Sequence, residues 1–375
     1  MLLHAIAFTV AAQTSGAEMR LMRWPDVHGD NIVFTYASDL WIANTGGGPA
    51  RRLTSHPGME QNAKFSADGK WIAFTGSYDG NPDVYLVSAE GGEPKRLTFA
   101  PASDVMGDWT PDGRIAYMTD QNTPGAFTPG LRIISTRGGM PTETKLIEVA
   151  DVSFGPNGRV AFNRNNSHNF NWRRYRGGTQ GRIAFSDVNA STYVEIPSGR
   201  ENRWHPMYVG DVVYYISDKT QGTRNLWMYD PATKRETQVT RFADGDIKWP
   251  GTDGKTIVYE RSGKLEAFDI ASKTTKDLNP TVKSDLLLAR PSLRNLSSQI
   301  SSVGISPSGN RVVVEARGEI FSVPAKNGDT RNMSGATSGA KEYAPVWSPD
   351  GKHIAYMSDK SGEVQIMVQP QMGGD

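Results

Sequence analysis

Five arginines and several aromatic residues alternate over residues 163–185 of the chain, with no acidic residue among them. The arginines are Arg164, Arg173, Arg174, Arg176 and Arg182, and the aromatic residues between them are Phe170, Trp172 and Tyr175. A guanidinium group binds a carboxylate or phosphate through two parallel hydrogen bonds, and a neighbouring aromatic ring can stack on a base or cover a peptide. The stretch therefore predicts a site for a peptide or another anion, with Arg173, Arg174 and Arg176 as the candidate binding residues.

Two other interpretations of this stretch stay open. Its arginines can instead pair with acidic residues on neighbouring blades while Trp172 fills a gap, which is the commoner role of such a loop. Nucleic-acid binding is the least favoured, because 41 Lys and Arg almost balance 40 Asp and Glu and leave no global positive field. We therefore predict peptides or proteins, and not nucleic acid, as partners of this chain.

No other group of residues has the spacing of a catalytic or metal site. Ser306 lies in Gly304-Ile-Ser-Pro-Ser-Gly309, which misses the Gly-x-Ser-x-Gly spacing of a nucleophile elbow. The six histidines, at positions 4, 28, 56, 168, 205 and 353, form no metal-binding pair, and the chain has no cysteine. The sequence thus predicts no catalytic residue, no bound metal and no cofactor in this chain.

Three aspartates recur at one position, directly after a serine or threonine. They are Asp120, Asp218 and Asp359. A calcium site is one interpretation, but aspartates in such places more often accept hydrogen bonds from nearby backbone N–H groups. We expect the second role.

All these residues are carried by a repeated unit whose clearest marker is a turn that ends in glycine. Ser66-Ala-Asp-Gly69, Thr110-Pro-Asp-Gly113 and Ser348-Pro-Asp-Gly351 each suit a type I turn followed by glycine. Aligned on this glycine, the chain contains eight units, with spacings of 40, 44, 45, 52, 44, 55 and 42 residues. The eight glycines are Gly29, Gly69, Gly113, Gly158, Gly210, Gly254, Gly309 and Gly351.

A period in the forties with about four strands per unit is typical of β-propeller blades. The sequence therefore predicts an all-β fold, in which a six-bladed β-propeller of four-stranded antiparallel blades occupies residues 17–280. Residues 281–375 are expected to form the first two blades of a second, truncated propeller, the last blade being incomplete. Because each of the first six units has all four strands, we expect that ring to close by packing between blades one and six, without a closing strand.

Apolar residues at matching positions of the second strands indicate what lies between the blades. Trp71 and Phe74 are such residues in the second unit, and Ile354 and Tyr356 are such residues in the eighth. One four-stranded sheet cannot bury both of its faces alone, so these four side chains are predicted to be buried against neighbouring blades.

The apolar run Leu2–Ala12 stands near the N terminus and is followed by small polar residues. It is shorter than the roughly 20 residues that span a bilayer, and it fits the core of a secretory signal. No Lys or Arg precedes it, which such a signal normally has. We predict that residues 1–16 are a signal peptide, that the protein is periplasmic or secreted, and that it has no membrane span; a cytoplasmic chain with an N-terminal tail is the alternative.

Longer stretches than the single units resemble one known family. LMRWPDVHGDNIVFTYASDLWIA (residues 21–43), the RLT blade ends, WRRYRGG (172–178) and ARGEIFSVPAKNGDTRNMS (316–334) resemble the N-terminal half of bacterial tricorn-type serine peptidases. The resemblance covers nearly the whole chain from Leu21. Single blade units also resemble the propellers of TolB and of prolyl-oligopeptidase relatives, but these matches are less specific.

The resemblance implies a fold order and a role. In tricorn-type peptidases a six-bladed propeller precedes a seven-bladed one, a PDZ domain and a peptidase core with the catalytic serine and histidine; the last two domains have no counterpart in this sequence. It therefore implies a non-catalytic portion that channels or filters peptides toward a C-terminal active site, with the PDZ and peptidase domains of the full-length protein as partners. The alternative is a free-standing TolB-like propeller that binds proteins as a periplasmic scaffold. An incomplete second ring exposes an apolar sheet face, so we also expect homo-oligomers.

Overall fold

The computed structural model describes residues 19–124, 128–165, 174–197, 199–220, 222–282, 295–335 and 339–373. The described part of the chain is built almost entirely of β-strands, as the sequence predicts, with short 3₁₀ helices at Pro156–Gly158 and Ser297–Gln299. Contacts divide it into two compact units, Met1–Ala289 and Arg290–Asp375. In the described residues, no helix is both long and apolar enough to cross a bilayer.

The first unit contains six sheets, and in each of them four strands follow one another in chain order as an antiparallel meander. Blades 1 to 3 consist of β1 (Arg23–His28), β2 (Asn31–Tyr36), β3 (Asp39–Asn44) and β4 (Gly48–Arg52); β5 (Glu60–Phe65), β6 (Trp71–Gly76), β7 (Asp83–Ser88) and β8 (Lys95–Arg96); and β9 (Asp104–Trp109), β10 (Ile115–Thr119), β11 (Gly130–Ile134) and β12 (Thr142–Ile147).

Blades 4 to 6 consist of β13 (Val149–Phe154), β14 (Arg159–Arg164), β15 (Arg182–Asp187) and β16 (Val194–Glu195); β17 (Arg203–Val209), β18 (Val212–Ser217), β19 (Asn225–Asp230) and β20 (Arg235–Gln238); and β21 (Ile247–Thr252), β22 (Thr256–Arg261), β23 (Lys264–Asp269) and β24 (Thr274–Leu278). A short strand, β25 (Pro280–Val282), follows blade 6.

The glycine turn joins the first strand of a blade to the second. In blade 2 the Gly69 N–H donates to the Ser66 carbonyl over 2.8 Å, and the Ser66 hydroxyl donates to Asp68 over 2.7 Å. Gly69 has a φ of +69°, a left-handed conformation that glycine adopts without strain. Blade 3 forms the same turn through Thr110, and the same turn recurs in the second unit through Ser348.

The Arg-Leu-Thr sequence at the blade ends fastens the fourth strand to the third. In blade 2 the Thr98 hydroxyl accepts the Val84 N–H over 3.0 Å, and the Arg96 guanidinium lies 2.6 Å from the buried carboxylate of Asp83. Blade 1 repeats this arrangement with Thr54, Arg52 and Asp39. The short outer strands are therefore held by side chains as well as by ladder hydrogen bonds.

Blades 1 and 6 pack against each other, so the six blades form a closed ring. Phe34 and Trp41 of blade 1 belong to one buried cluster with Val258 and Leu265 of blade 6. Strand β1 also lies against β21, where a Cβ on Gly251 would come within 2.6 Å of the Pro25 carbonyl oxygen. Glycine at this position is what lets the two inner strands approach.

A short strand adds to this closure, contrary to the sequence-based expectation that no closing strand is shared. β25 pairs in parallel with β4, so the sheet of blade 1 has five strands. Its register aligns Pro280 with Gly48 and Val282 with Ala50. The expectation was wrong because four complete strands in blade 1 still leave an outer edge with unpaired backbone groups, and the chain leaving blade 6 reaches that edge.

The second unit contains two sheets. The first has four strands, β26 (Ile300–Ile305), β27 (Arg311–Ala316), β28 (Glu319–Pro324) and β29 (Arg331–Asn332), and the second has three, β30 (Glu342–Trp347), β31 (His353–Ser358) and β32 (Gln365–Pro370). We call them blades 7 and 8. Val313 and Ile320 of blade 7 pack against Ile354 and Tyr356 of blade 8.

Three of the four residues predicted to lie between blades are buried. Phe74 and Ile354 are fully buried and Tyr356 nearly so. Trp71 is 46 % exposed, so this prediction was wrong. Trp71 is the first residue of β6, so it lies at the end of its strand, beside a wide axial cavity.

Candidate functional site

The first strands of the six blades surround the axis of the ring, and each of them contains an irregularity in its pairing with the second strand. In four of them a residue other than glycine has a positive φ within the strand. These residues are Trp24 (φ 47°), Asn62 (φ 53°), His205 (φ 53°) and Trp249 (φ 46°). Such β-bulges bend a strand and re-aim its side chains, and here all four residues line one axial cavity.

Two cavities lie along this axis, and residues from all six blades line each of them. The wider one, of about 860 Å³, opens among the glycine turns and is lined by His28, Asp68, Trp109, Tyr208 and Asp253, among others. The narrower one, of about 300 Å³, lies among the bulges. The two cavities share lining residues and therefore adjoin along the axis. We call the pair the axial channel, the wider cavity the turn mouth, and the narrower one the indole chamber, after Trp24 and Trp249.

A cluster of titratable side chains lies where the two cavities meet. Lys64, Asp151 and His205 line both of them. Lys64 Nζ lies 3.4 Å from Asp26 Oδ1, and His205 Nδ1 lies 2.5 Å from Asp151 Oδ2. With Asp108, which lines the turn mouth, these side chains form what we call the channel charge cluster.

Burial and mutual attraction shift the proton equilibria of this cluster. Burial alone lowers the pKa of Lys64, but the carboxylates of Asp26, Asp108 and Asp151 outweigh it and raise that pKa above its ordinary value. Burial raises the pKa of Asp108 to about 6, although Lys64 opposes the shift. Lys64 is therefore a firmly charged cation, while Asp108 changes its charge close to neutral pH.

Of the three candidate arginines, Arg173 lies outside the described residues. Arg174 is exposed, and a Cβ on Gly222 would lie 2.4 Å from its Nε, so its side chain crosses the backbone of the β18–β19 connection. Arg176 donates from Nη1 to the buried carboxylate of Asp218 over 2.8 Å and to the Tyr175 carbonyl over 2.9 Å. Neither Arg174 nor Arg176 lines the turn mouth or the indole chamber.

Other arginines of the same stretch also pair with acidic residues. Arg164 contacts Glu148, which directly precedes β13, and Glu195 of its own blade, and Arg182 lies 3.3 Å from Glu195. The pair of Arg176 with Asp218 of blade 5 is of the kind that the structural interpretation expects, whereas Arg164 and Arg182 pair with Glu195 within their own blade. Binding of a peptide carboxylate stays a prediction, and among the described residues Arg174 is the one that it concerns most.

The three repeated aspartates bond backbone N–H groups. Asp120 accepts from Ser103 over 2.9 Å, Asp218 from Asn202 over 2.8 Å and Asp359 from Lys341 over 2.7 Å. In each case the N–H belongs to the segment that leads into the first strand of the same blade. These aspartates thus have the backbone-bonding role expected from sequence, and in the described residues no group of three or more His, Asp or Glu side chains is placed to hold a metal ion.

The fold is shared with a known family. Residues 19–274 match the family described as "Tricorn protease N-terminal beta propeller domain". The chain belongs to this family. The resemblance inferred from sequence is therefore confirmed.

Several known proteins are similar to this tricorn-type propeller, and they are longer than this chain. Tricorn protease homolog 1 of Streptomyces coelicolor is 28% identical over 376 residues, covering 96% of this chain and 34% of the relative. The crystal structure of the tricorn protease superposes with a TM-score of 0.65 at 20% identity, over 94% of this chain and 44% of that one. TolB of Helicobacter hepaticus is 29% identical over 119 residues, covering 30% of this chain and 28% of the relative. The chain thus spans about a third of the length of the first of these relatives.

Sequence reasoning did not identify the channel residues of this tricorn-type propeller. A signal was present in the dipeptides Trp24-Pro25, His205-Pro206 and Trp249-Pro250, each at a matching place in the first strand of its unit. Proline is rare inside strands except at edges and bulges, so its repetition there indicates a bulge. The charge cluster itself had no such signal, because its members come from different blades and meet only when the ring closes.

Proposed function

We propose that this chain is the non-catalytic propeller portion of a tricorn-like serine peptidase, and that the axial channel of its six-bladed ring passes peptides to or from an active site outside this sequence. The observation that carries the proposal is the pair of adjoining axial cavities, lined by all six blades. An extended peptide can enter a channel of this kind, whereas a folded protein cannot. The PDZ and peptidase domains of the full-length protein would be its partners.

The absence of cysteine from the chain gives a direct test of passage. Gln61→Cys places one thiol in the indole chamber, and Lys276→Cys places one on the exposed outer strand β24 as the matched control. A maleimide on an extended peptide should label both variants. A maleimide on a folded protein should label only Lys276→Cys, and an excess of unmodified peptides should slow labelling of Gln61→Cys alone.

Two results would contradict the proposal. Labelling of Gln61→Cys by the maleimide on a folded protein would show that the cavity is open from the side. Peptide maleimides that fail to label Gln61→Cys while labelling Lys276→Cys would show that the channel does not admit peptides. We also expect no peptide hydrolysis by the 375-residue chain itself, and activity that copurifies with it would reject the accessory role.

The predicted role of the arginine stretch belongs to this function and is tested separately. If Arg173, Arg174 or Arg176 receives the C terminus of a peptide, peptides with a free carboxylate should bind more tightly than their amides. Arg174→Ala should reduce this difference, while Arg176→Ala should also destabilise the fold because it leaves the buried Asp218 without its cation. Equal binding of acid and amide would leave the stretch with its structural role alone.

The similarity to TolB supports a second candidate, a propeller that binds proteins as a scaffold. A scaffold uses its outer or end surfaces, so its partner would leave the labelling of Gln61→Cys unchanged. Binding of a folded partner without any effect of peptides on that thiol would favour the scaffold over the channel.

We further propose that the protein is exported, on the basis of the apolar run at Leu2–Ala12. Signal cleavage near Ala17 would release a periplasmic or secreted protein. N-terminal sequencing of the protein purified from the periplasm is expected to start close to that residue. Protein that retains Met1 and stays in the cytoplasmic fraction would reject export.

A further inference from the structure

We propose that the indole chamber is a binding site for one aromatic or large aliphatic side chain of a peptide in the channel. The proposal rests on the proposed passage of peptides and adds the class of side chain that is retained. Trp24 and Trp249 belong to blades 1 and 6, and their rings meet at the junction where the ring of blades closes. They form the aromatic part of the chamber wall.

The two indoles form a tilted pair, and the side chains of Arg23 and Lys248 make cation–π contacts with it. Their centroids are 4.9 Å apart and the ring planes make an angle of 43°. The Arg23 guanidinium lies 6.0 Å from the Trp24 centroid and 5.7 Å from that of Trp249, and Lys248 Nζ lies 5.7 Å from Trp249. Such contacts fix the rings in place, so the chamber presents an aromatic wall that is already organised for a ligand.

The backbone conformation at the two tryptophans does not itself require aromatic side chains. Both tryptophans sit in bulges at positive φ, which is uncommon for bulky residues. In blade 8 the corresponding bulge residue, Ala344, has a φ of 53°. A bulge of this kind also forms with Asn62, His205 or Ala344, so its backbone does not require the tryptophans that blades 1 and 6 place there.

Another part of the chamber wall is apolar, while Gln61 and Asn62 of blade 2 add polar groups beside it. Val105, Met106 and Met118 of blade 3 line it, together with the two prolines that follow the tryptophans. Met106 and Met118 are 1% and 5% exposed, since most of each side chain is packed between blades, so they add small apolar parts to the wall. The volume of about 300 Å³ lies at the lower end of the roughly 300–1,000 Å³ of small-ligand pockets, which suits a side chain and not a folded domain.

The polar floor of the chamber favours the same ligand class. Lys64 is paired with Asp26, and Asp151 with His205. A charged ligand side chain would have to compete with these pairs, and it would also lose its own hydration. An apolar side chain above the floor leaves both pairs intact and gains from leaving water.

Binding of capped tripeptides Ac-Gly-X-Gly-NH₂ to the 375-residue chain, measured by calorimetry, tests the proposal. Peptides with Phe or Leu at X should bind about tenfold or more tightly than those with Ala or Asp. Trp24→Ala and Trp249→Ala should each remove most of this preference, and Trp24→Phe and Trp249→Phe should keep part of it. Trp71→Ala is the matched control, since this partly exposed tryptophan lines the turn mouth and not the chamber.

Equal binding of the Phe and Asp peptides would overturn the proposal, as would an unchanged Phe preference in both alanine variants. If an alanine variant fails to fold, the phenylalanine variants still test the proposal, because the smaller ring should lower the Phe preference in a folded protein and an unchanged preference would overturn it. Labelling of Gln61→Cys separates this proposal from the proposed function. Protection by every peptide regardless of X retains passage and rejects the selective chamber, whereas protection by none rejects passage itself.

Discussion

Blades 2 and 8 have closely similar sequences but are covered to different extents. Ile-Ala-Phe at residues 72–74 corresponds to Ile-Ala-Tyr at residues 354–356, and each follows the same Asp-Gly-Lys turn sequence. One face of the two second strands is equally buried, because Phe74 packs on blade 1 and Tyr356 on blade 7. The faces that point away from the preceding blade are the ones that differ.

The third strands show this difference most clearly. Val84 and Leu86 of blade 2 are 0% and 5% exposed, because they pack against blade 3. The corresponding residues of blade 8, Ile366 and Val368, are 71% and 62% exposed. The sequence of a strand therefore determines which residues share a face of the sheet. Whether that face is buried depends on the blade that packs against it.

The largest effect is expected at the face that is buried in both blades. Phe74→Ala should lower the free energy of unfolding of the first unit by about 3–5 kcal/mol, because a fully buried aromatic side chain is replaced by a cavity. Chemical denaturation followed by tryptophan fluorescence gives the measurement. Trp71→Ala is the control, since its side chain is half exposed, and an unchanged midpoint for Phe74→Ala would mean that its burial is wrong.

The next largest effect is expected at the third strands, where the face turned away from the preceding blade is buried in blade 2 and exposed in blade 8. This prediction tests that difference directly. Leu86→Ala should cost about 2–5 kcal/mol, whereas Val368→Ala at the matching position should change stability by no more than about 0.5 kcal/mol. Both losses are read from the same denaturation experiment. Similar losses for the two variants would show that the outer face of blade 8 is covered in the 375-residue chain after all.

Much of this fold follows from local sequence signals. The glycine turns, the strand alternation and the Arg-Leu-Thr ends each depend on neighbouring residues, such as Ser66 bonding Asp68, so the repeat and its strands could be predicted. The closing strand β25 could not, since its pairing with β4 joins residues more than two hundred positions apart. Nothing in Pro280–Val282 alone indicates that partner.

The candidate site was predictable to a smaller extent for the same reason. An arginine-rich stretch is visible in one line of sequence, but whether Arg176 is available depends on Asp218 in the next blade. The channel charge cluster combines Lys64 of blade 2 with Asp108 of blade 3 and Asp151 of blade 4. Such a site becomes visible only after the register of every blade and the closure of the ring are known.

The first strands of blades 2 and 8 also differ in charge, and the charged groups around the first strand of blade 2 predict that stability depends on pH. Lys64 in blade 2 occupies the place that Val346 has in blade 8, judged from their pairing with Ala73 and Ala355. In the ring Lys64 lies near Asp108, whose pKa burial raises from 3.8 to about 6. The folded state therefore binds more protons than the unfolded state between these values, so stability falls as the pH rises from about 4 to 6.

Asp108→Asn should remove this part of the pH dependence. Asparagine does not titrate, and its single oxygen can accept one of the two N–H groups, of Trp109 or Phe154, that bond the two carboxylate oxygens of Asp108; losing the other bond lowers stability equally at every pH. Relative to the unmodified chain, the variant should gain roughly 2–3 kcal/mol between pH 4 and 6, since each pKa unit corresponds to about 1.4 kcal/mol. Parallel stability curves over this range would show that Asp108 titrates normally.

The smallest effect in free energy is expected for self-association through the exposed face of blade 8. Ile366 and Val368 form an apolar strip on the edge strand β32, and exposed apolar edges promote pairing between chains. The 375-residue chain should therefore form dimers or larger oligomers in light scattering, and Ile366→Lys with Val368→Lys should weaken this at least about tenfold, or about 1.4 kcal/mol. Met140→Lys, at a residue that is 94% exposed on the first unit, is the matched control. A chain ending at Val282 keeps β25 and lacks the strip, so it is expected to be monomeric; oligomers of that shorter chain would place the contact on the ring instead of on blade 8.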